Sequence, residues 1–307
     1  MKKAMALLLS MAVIVCAGSG LAAENYKIGV LAKDGPVKAV NMWKSTADFL
    51  NGQIKDAHFE IVPLDFKEVY KAIEEGSVNF FLVNSSMVVT AKVRFGAIPI
   101  ATMVNSRKGE PCEAFGGVIL SSAENKDIQT LQDLKGKTFM AVDPSSFGGW
   151  QMAYKELLDS GIDPMKDFKK LEFGGKHENV VLAVQNGAVD AGTVRTDTLE
   201  RMAASDIIDM SEFKVLAEKK HNGFPFVCST VLYPEWPLAK TKQTPDEVAR
   251  QVVEALKGLK AEDKAAKDAK VIRWIDALDY APVEALQKAL KVEAYAQEDA
   301  KVSQAAN

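Results

Sequence analysis

The strongest constraint on this chain is an internal repeat that needs no gap. A shift of 111 residues carries Gly76 onto Gly187, Val69 onto Val180, Ala72 onto Ala183, Ile73 onto Val184 and Val78 onto Val189. The same shift carries Ala32 onto Asp143 and Trp43 onto Tyr154, two aromatic positions that read as lobe core. Each copy reads as βαβαβ. In the first, Lys27–Ala32, Phe59–Leu64 and Asn79–Val83 are strand-like, while Val40, Trp43, Ala47 and Leu50 have helical spacing. In the second, Lys137–Val142, Lys170–Phe173 and Ala188–Val194 are strand-like, with helical stripes over Trp150–Leu158 and Val180–Gln185. Such alternation builds a mainly parallel sheet with right-handed crossovers. A single ungapped offset over about sixty residues implies two similar α/β lobes.

Three apolar segments lie outside the repeat. Ile98–Val104 ends the first copy, Phe115–Leu120 leads into the second, and Phe226–Tyr233 reads as a return strand. Two crossings make a two-segment hinge and leave the first lobe discontinuous. Residues 24–115 plus 231–297 then form lobe 1, and 116–230 form lobe 2. Thr244-Pro245-Asp246-Glu247 reads as a capping box, and Pro282 opens a further helix with Leu286 and Leu290 on one face. A chain of 307 residues is long enough for two such cores.

The first residues carry an address. Lys2 and Lys3 precede the apolar run Ala4–Ala17, and Gly20–Ala23 offers small residues for cleavage. The run is short of the roughly 20 residues of a spanning helix. Residues 1–23 therefore read as an export signal cleaved near Ala22 and Ala23, and the mature protein is expected in the periplasm as a monomer. Residues 298–307 are small and polar and read as a disordered tail. A formal net charge of −3 gives no footprint for nucleic acid. His58, His177 and His221 are isolated and no CxxC or HExxH occurs, so neither a metal nor a cofactor is expected. Cys112 precedes the outgoing connector and Cys228 lies in the return one. A disulfide, two buried thiols and a reactive pair all remain open for them.

In open α/β sheets ligands gather beyond the carboxyl ends of the strands. The repeat supplies those positions twice: Lys33–Pro36 and Asp143–Gly149, Phe66 and His177, Asn84–Ser86 and Arg195–Asp197. Facing lobes bring all six loops to one cleft. Ser145, Ser146, Phe147, Gly148 and Gly149 precede a strong helix, whose N–H groups and dipole suit an oxyanion or carboxylate. Arg195 can clamp an anion, and Asp197 can accept from a ligand or orient Arg195. With Phe66, Asn84, Ser85, His177 and Thr196 these make the candidate binding set for a small anion. The chain thus reads as a solute-binding protein, not an enzyme. The alternative is a hydrolase using Ser145, His177 and Asp197 in the same cleft, although neither a GxSxG elbow nor a Walker loop occurs.

Three segments carry a resemblance: Asp143-Pro144-Ser145-Ser146, Gly175-Lys176-His177, and Asn186 to Gly192. Through them the chain resembles the periplasmic substrate-binding proteins of phosphate, phosphite and phosphonate ABC transporters, from Lys27 to about Leu290. Phe115–Ile119, Met140–Asp143 with Gly148–Ala153, Val189–Ala203 and Tyr233–Pro237 are similar to sensor regions at the front of tetrathionate-type histidine kinases. The resemblance implies a type II periplasmic binding fold that closes on its ligand. It also implies an inner-membrane partner, either an ABC permease or a sensor histidine kinase. Two departures widen the expected ligand class. The phosphonate binders' Ser-Thr-Ser run is Ser146-Phe147-Gly148 here, and Phe66 and Val88 stand in place of tyrosines.

Overall fold

The computed structural model describes residues 23–107 and 109–296. The signal expected over 1–23 lies outside them except for Ala23, and the tail expected over 298–307 lies wholly outside.

The first described element is β1 (Glu24–Leu31), which pairs in parallel with β2 (Ala57–Leu64) and β3 (Phe80–Leu82). Between β1 and β2 runs α1 (Pro36–Gln53), with Pro36 in the first turn, where its missing N–H is harmless. Its buried stripe of Ala39, Trp43, Ala47 and Leu50 has the expected spacing. Next come α2 (Val69–Glu74) and α3 (Ser85–Phe95). Asn84 caps α3, its Oδ1 accepting from the Met87 N–H at 3.0 Å. The strand β4 (Ile98–Arg107) pairs with the short β5 (Glu110–Cys112), and the chain then crosses through β6 (Ala114–Phe115).

The second unit contains β7 (Gly117–Ser122), β8 (Thr138–Ala141), α4 (Met152–Asp159), α5 (Pro164–Asp167) and β9 (Lys170–Phe173). It continues with α6 (His177–Gln185), β10 (Ala191–Arg195), α7 (Thr198–Ala203) and β11 (Phe213–Leu216). The return crossing is β12 (Tyr233–Pro234), antiparallel to β6. Then β13 (Pro237–Lys240), α8 (Asp246–Lys257), α9 (Lys264–Ala269), β14 (Val271–Asp276) and α10 (Ala281–Leu290) complete the first unit.

The two sheets share one strand order. The first runs β2-β1-β3-β13-β4, extended by β14 and β5, and the second runs β9-β8-β10-β7-β11. Senses match as well: β7 and β13 are each antiparallel to both neighbours, and the β1–β3 and β8–β10 pairs are parallel. The offset of the sequence thus reappears as geometry. Gly76 and Gly187 follow α2 and α6 with φ of 66° and 67°, a left-handed turn that glycine adopts without penalty. Each crossing leads straight into the antiparallel strand of the other sheet. This is the type II periplasmic binding architecture, two α/β lobes joined by two segments.

Two local expectations change, and the open reading of the cysteines is narrowed. The return strand expected over Phe226–Tyr233 shrinks to Tyr233–Pro234. Upstream, hydroxyls take the place of ladder carbonyls: Ile119 N–H donates to Ser229 Oγ and Gly117 N–H to Thr230 Oγ1, both at 2.9 Å. The capping box at Thr244 does not form; α8 begins after Pro245, and Thr244 Oγ1 instead donates to the Asn79 carbonyl at 2.8 Å. Cys112 and Cys228 are separate buried thiols and no disulfide joins the connectors. Cys228 Sγ lies 3.2 Å from the Thr230 carbonyl, and burial pushes the Cys112 thiol up to about 11.

The crossings touch at Gly116. A Cβ there would stand 2.5 Å from Cys228 Sγ and 3.0 Å from Thr230 Oγ1. Gly116→Ala is expected to lower unfolding free energy by about 1–3 kcal/mol through overpacking. Adding Cys228→Ala should restore part of the loss. Urea denaturation of both variants checks this, and an unchanged midpoint for Gly116→Ala would show the crossings to be loosely packed.

Candidate functional site

The second sheet's central strand ends on Arg195, 6% exposed. Its guanidinium does not reach outward as a free clamp. It forms a forked ion pair with Glu235, which is fully buried in the return crossing. Burial lowers the Arg195 pKa, but Glu235 and then Asp197 outweigh it and hold the group charged. The guanidinium also lies over the Phe115 ring, 4.1 Å from its centroid. Glu235 accepts in addition from the Trp236 N–H at 3.0 Å. The expected clamp is therefore a tie between lobe and hinge, because a buried carboxylate 40 positions downstream matches it.

Asp197 follows at φ 71°, a left-handed conformation that a short Asp tolerates. Its carboxylate receives Arg201 Nε at 2.9 Å and Arg107 Nη1 at 3.2 Å, with Arg195 Nε at 3.6 Å. Burial pushes its pKa up, and these three guanidiniums outweigh burial and hold it below the usual range. His177 is 5% exposed, and its Nδ1 accepts from the Arg195 main-chain N–H at 3.2 Å. The proton of the neutral ring therefore sits on Nε2. Burial, then Lys33, Arg201 and Arg195, push its pKa down to about 3 against the opposing pull of Asp34. Since Asp197 serves arginines and His177 Nδ1 serves a main-chain N–H, the two are not joined with Ser145 in a hydrolytic relay.

Several other expected residues bind the protein to itself. Asn84 Nδ2 donates across the cleft to the Ser145 carbonyl at 3.0 Å, and Ser85 Oγ donates to the Pro234 carbonyl at 2.8 Å. Thr196 Oγ1 accepts from the Gly116 N–H at 3.2 Å. The run Phe147–Gln151 forms a wide π-helical turn ahead of α4, not a plain helix start. Phe147 is wholly buried against Phe115 and Tyr233, with centroids 5.9 and 5.1 Å away. The glycines there admit protein, not ligand. A Cβ on Gly149 would meet Val142 Cγ2 at 2.5 Å and Ser146 Oγ at 2.6 Å, and one on Gly148 would meet Phe115 at 2.9 Å.

Phe66, Asn84, Ser146, Phe147, Gly148, His177 and Arg195 do come together around a pocket of only about 10 Å³. Beside it, sharing Leu31, Lys33, Arg195 and Trp236, lies a cavity of about 90 Å³. Lys33, Lys38, Arg107, Arg195, Arg201 and Lys270 face this cavity against one lining carboxylate, Asp34. Counting Asp197, Glu235 and the Lys38 partner Glu178 behind the wall still leaves an excess of two positive charges. Arg195 and Arg201 belong to the second unit and the other lining cations to the first, so the cavity lies between the lobes. Asn105, Arg107, Trp236 and Lys270 were not in the expected set. They come from β4 and the segments beside β13 and β14, outside the repeat. The one visible signal was charge and tryptophan at the edge of apolar strands.

A two-lobed binding fold with a cation-rich chamber between its lobes defines a solute-binding protein. The chain belongs to the family of periplasmic substrate-binding proteins of phosphonate ABC transporters, whose family model matches residues 28–294. Among curated relatives it is similar to the tetrathionate sensor histidine kinase TtrS of Salmonella typhimurium, 30% identical over 243 residues, covering 79% of this chain and 40% of the kinase. It is also similar to the phosphate-import protein PhnD of Mycolicibacterium smegmatis, 23% identical over 211 residues, covering 66% of this chain and 60% of that protein. The chain thus spans less than two thirds of either relative. Among solved structures, PhnD1 of Prochlorococcus marinus in complex with methylphosphonate superposes with a TM-score of 0.71 at 17% identity, covering 87% of this chain and 98% of that one.

Two outcomes follow from the buried charges. Arg195→Met strands the Glu235 carboxylate and should cost about 3–5 kcal/mol, whereas Arg195→Met with Glu235→Leu should recover most of it. Urea denaturation of the single and double variants reads this directly. His177 titrates at about 3 folded against an ordinary 6.5, so its contribution is whole above pH 6.5 and fades as pH falls toward 3. Relative to His177→Asn, the natural chain should lose on the order of 2 kcal/mol between about pH 6.5 and 4.5. Parallel stability-versus-pH curves for the two would remove His177 as the cause.

Proposed function

We propose that this protein captures a small anion, an oxyanion or carboxylate, in the interlobe cavity. It closes over the ligand and presents the closed form to an inner-membrane partner, an ABC permease or a sensor histidine kinase. The moving bodies are residues 24–115 plus 231–297 and residues 116–230. The observation that carries this reading is the surplus of cations from both lobes on one interlobe cavity. Like charges brought together without a counter-ion repel, so an anion touching both lobes favours the closed arrangement. The family's transport role and the sensor relative support both kinds of partner.

A thermal-shift screen of sulfur and phosphorus oxyanions and carboxylates tests the reading. At one hundred times its Kd a ligand adds about 2.7 kcal/mol of stability, roughly 5–10 °C for a chain of this size. Small-angle scattering with the best ligand should show compaction. A flat screen, or unchanged dimensions at saturation, would reject capture by closure.

A further inference from the structure

Resting on the reading of the interlobe cavity as an anion site, we propose that its ligand is a sulfonate-type anion. Such a ligand has a fully ionised, acceptor-only oxyanion head on a short apolar body. Three side chains that line the cavity each carry a buried N–H that meets no acceptor among the described residues: Asn105 Nδ2, Arg107 Nε and Trp236 Nε1. Asn105 is 2% exposed and Trp236 9%. Arg195 Nε is a fourth donor without a hydrogen bond, although Asp197 Oδ1 stands 3.6 Å from it as an ion-pair partner. A buried N–H without an acceptor is both rare and destabilising. Three on one cavity call for a ligand that brings acceptors.

The carboxylates around the cavity are already held. Asp34 is held by Lys33 at 2.6 Å and Lys38 at 3.8 Å, Asp197 by Arg107 and Arg201, and Glu235 by Arg195. Asp197 Oδ1 accepts no hydrogen bond but stands behind the wall, so at the lining carboxylate Asp34 a ligand O–H would have to displace a cation, leaving Asn105 Oδ1 as its neutral side-chain acceptor. Phosphates and phosphonates carry such an O–H on part of their population near pH 6–7. A sulfonate carries none, and its three oxygens can serve three donors where a carboxylate has two. The opposite wall is apolar: Leu31, Met42, Trp43 and Met103. That wall suits an uncharged body. A volume of about 90 Å³ is below the roughly 150 Å³ that accommodates benzene, so the body is short.

Calorimetric titration of the full chain with ethanesulfonate, ethylphosphonate and propionate holds the body constant and varies the head. Ethanesulfonate should bind at least tenfold tighter than either at about pH 6, with the same affinity at about pH 8, while ethylphosphonate gains affinity as its second proton leaves. Trp236→Phe and Asn105→Leu should each weaken ethanesulfonate roughly tenfold. Asn105→Leu should also leave the melting temperature of the ligand-free protein unchanged or raised, since it removes an unmatched amide. Phosphonate or propionate binding as tightly as ethanesulfonate at the lower pH would overturn the sulfonate assignment while leaving anion capture standing. Unchanged affinity in both folded variants would move the head group to other donors and overturn it as well. No binding of any anion, in these titrations and in the wider screen, would overturn capture itself.

Discussion

The buried ion pair of Arg195 and Glu235 is the constraint on which the rest of the site depends. Removing two charges from water is expensive, and such a pair persists only where geometry and further hydrogen bonds compensate. Here the compensation is complete on the Glu235 side: the fork of Arg195 and the Trp236 N–H both point at its carboxylate. Arg195 gains the Phe115 face besides, and His177 receives its main-chain N–H. One interaction thus fixes the end of β10, the start of α6 and the course of the return crossing. It also decides what remains for a ligand. Glu235 takes one N–H from each terminal nitrogen of Arg195, so the guanidinium keeps Nε and one N–H on each terminal nitrogen, and further unmatched donors come from β4 and from Trp236.

The crossing segments explain how the lobes stay in register without being welded. Their β6–β12 ladder is two residues long. Ser229 and Thr230 replace ladder carbonyls by hydroxyls, and Glu235 N–H donates to the Glu113 carbonyl at 2.9 Å. Tyr280 Oη donates to the Glu235 carbonyl at 2.7 Å and ties α10 to the same point. Few main-chain bonds and several side-chain ones make a pivot whose φ and ψ can change without tearing a sheet.

Legibility in the sequence followed the repeat. The first three strands and their helices in each lobe were readable because apolar period and β-formers coincide, and because Gly76 and Gly187 mark the same left-handed turn. Pro237–Lys240 and Phe213–Leu216 were not, since both are short and lie beyond the ungapped repeat that marked the other short strands. The site divided along the same line. Strand-end residues within the repeat, such as Asn84, Ser146, His177 and Arg195, do converge. Their roles were less readable, because a role depends on partners far off in sequence. Arg195 looked free until Glu235 stood beside it. Asn105, Arg107 and Trp236 lie on connectors, where no second copy points to them.

Under the proposed function, charge placement would give the fold a physical reason to couple closure to an anion. Arg195 and Arg201 come from one lobe, while Lys33, Arg107 and Lys270 come from the other. Asp197 bridges part of this set, binding Arg107 across the cleft at 3.2 Å and Arg201 beside it at 2.9 Å, while Glu235 holds Arg195 and Glu178 stands 4.0 Å from Lys38. The carboxylates beside the cavity do not balance the cations on both faces, so bringing the faces together would raise their mutual repulsion unless a further negative charge entered. In a chamber screened from water that repulsion is stronger than at the surface, and so is its relief. The binding energy of such an anion would therefore be divided between its own contacts and the closing of the lobes. A neutral solute of the same shape would make the contacts without relieving the repulsion, so the proposed closed state would select charge ahead of shape.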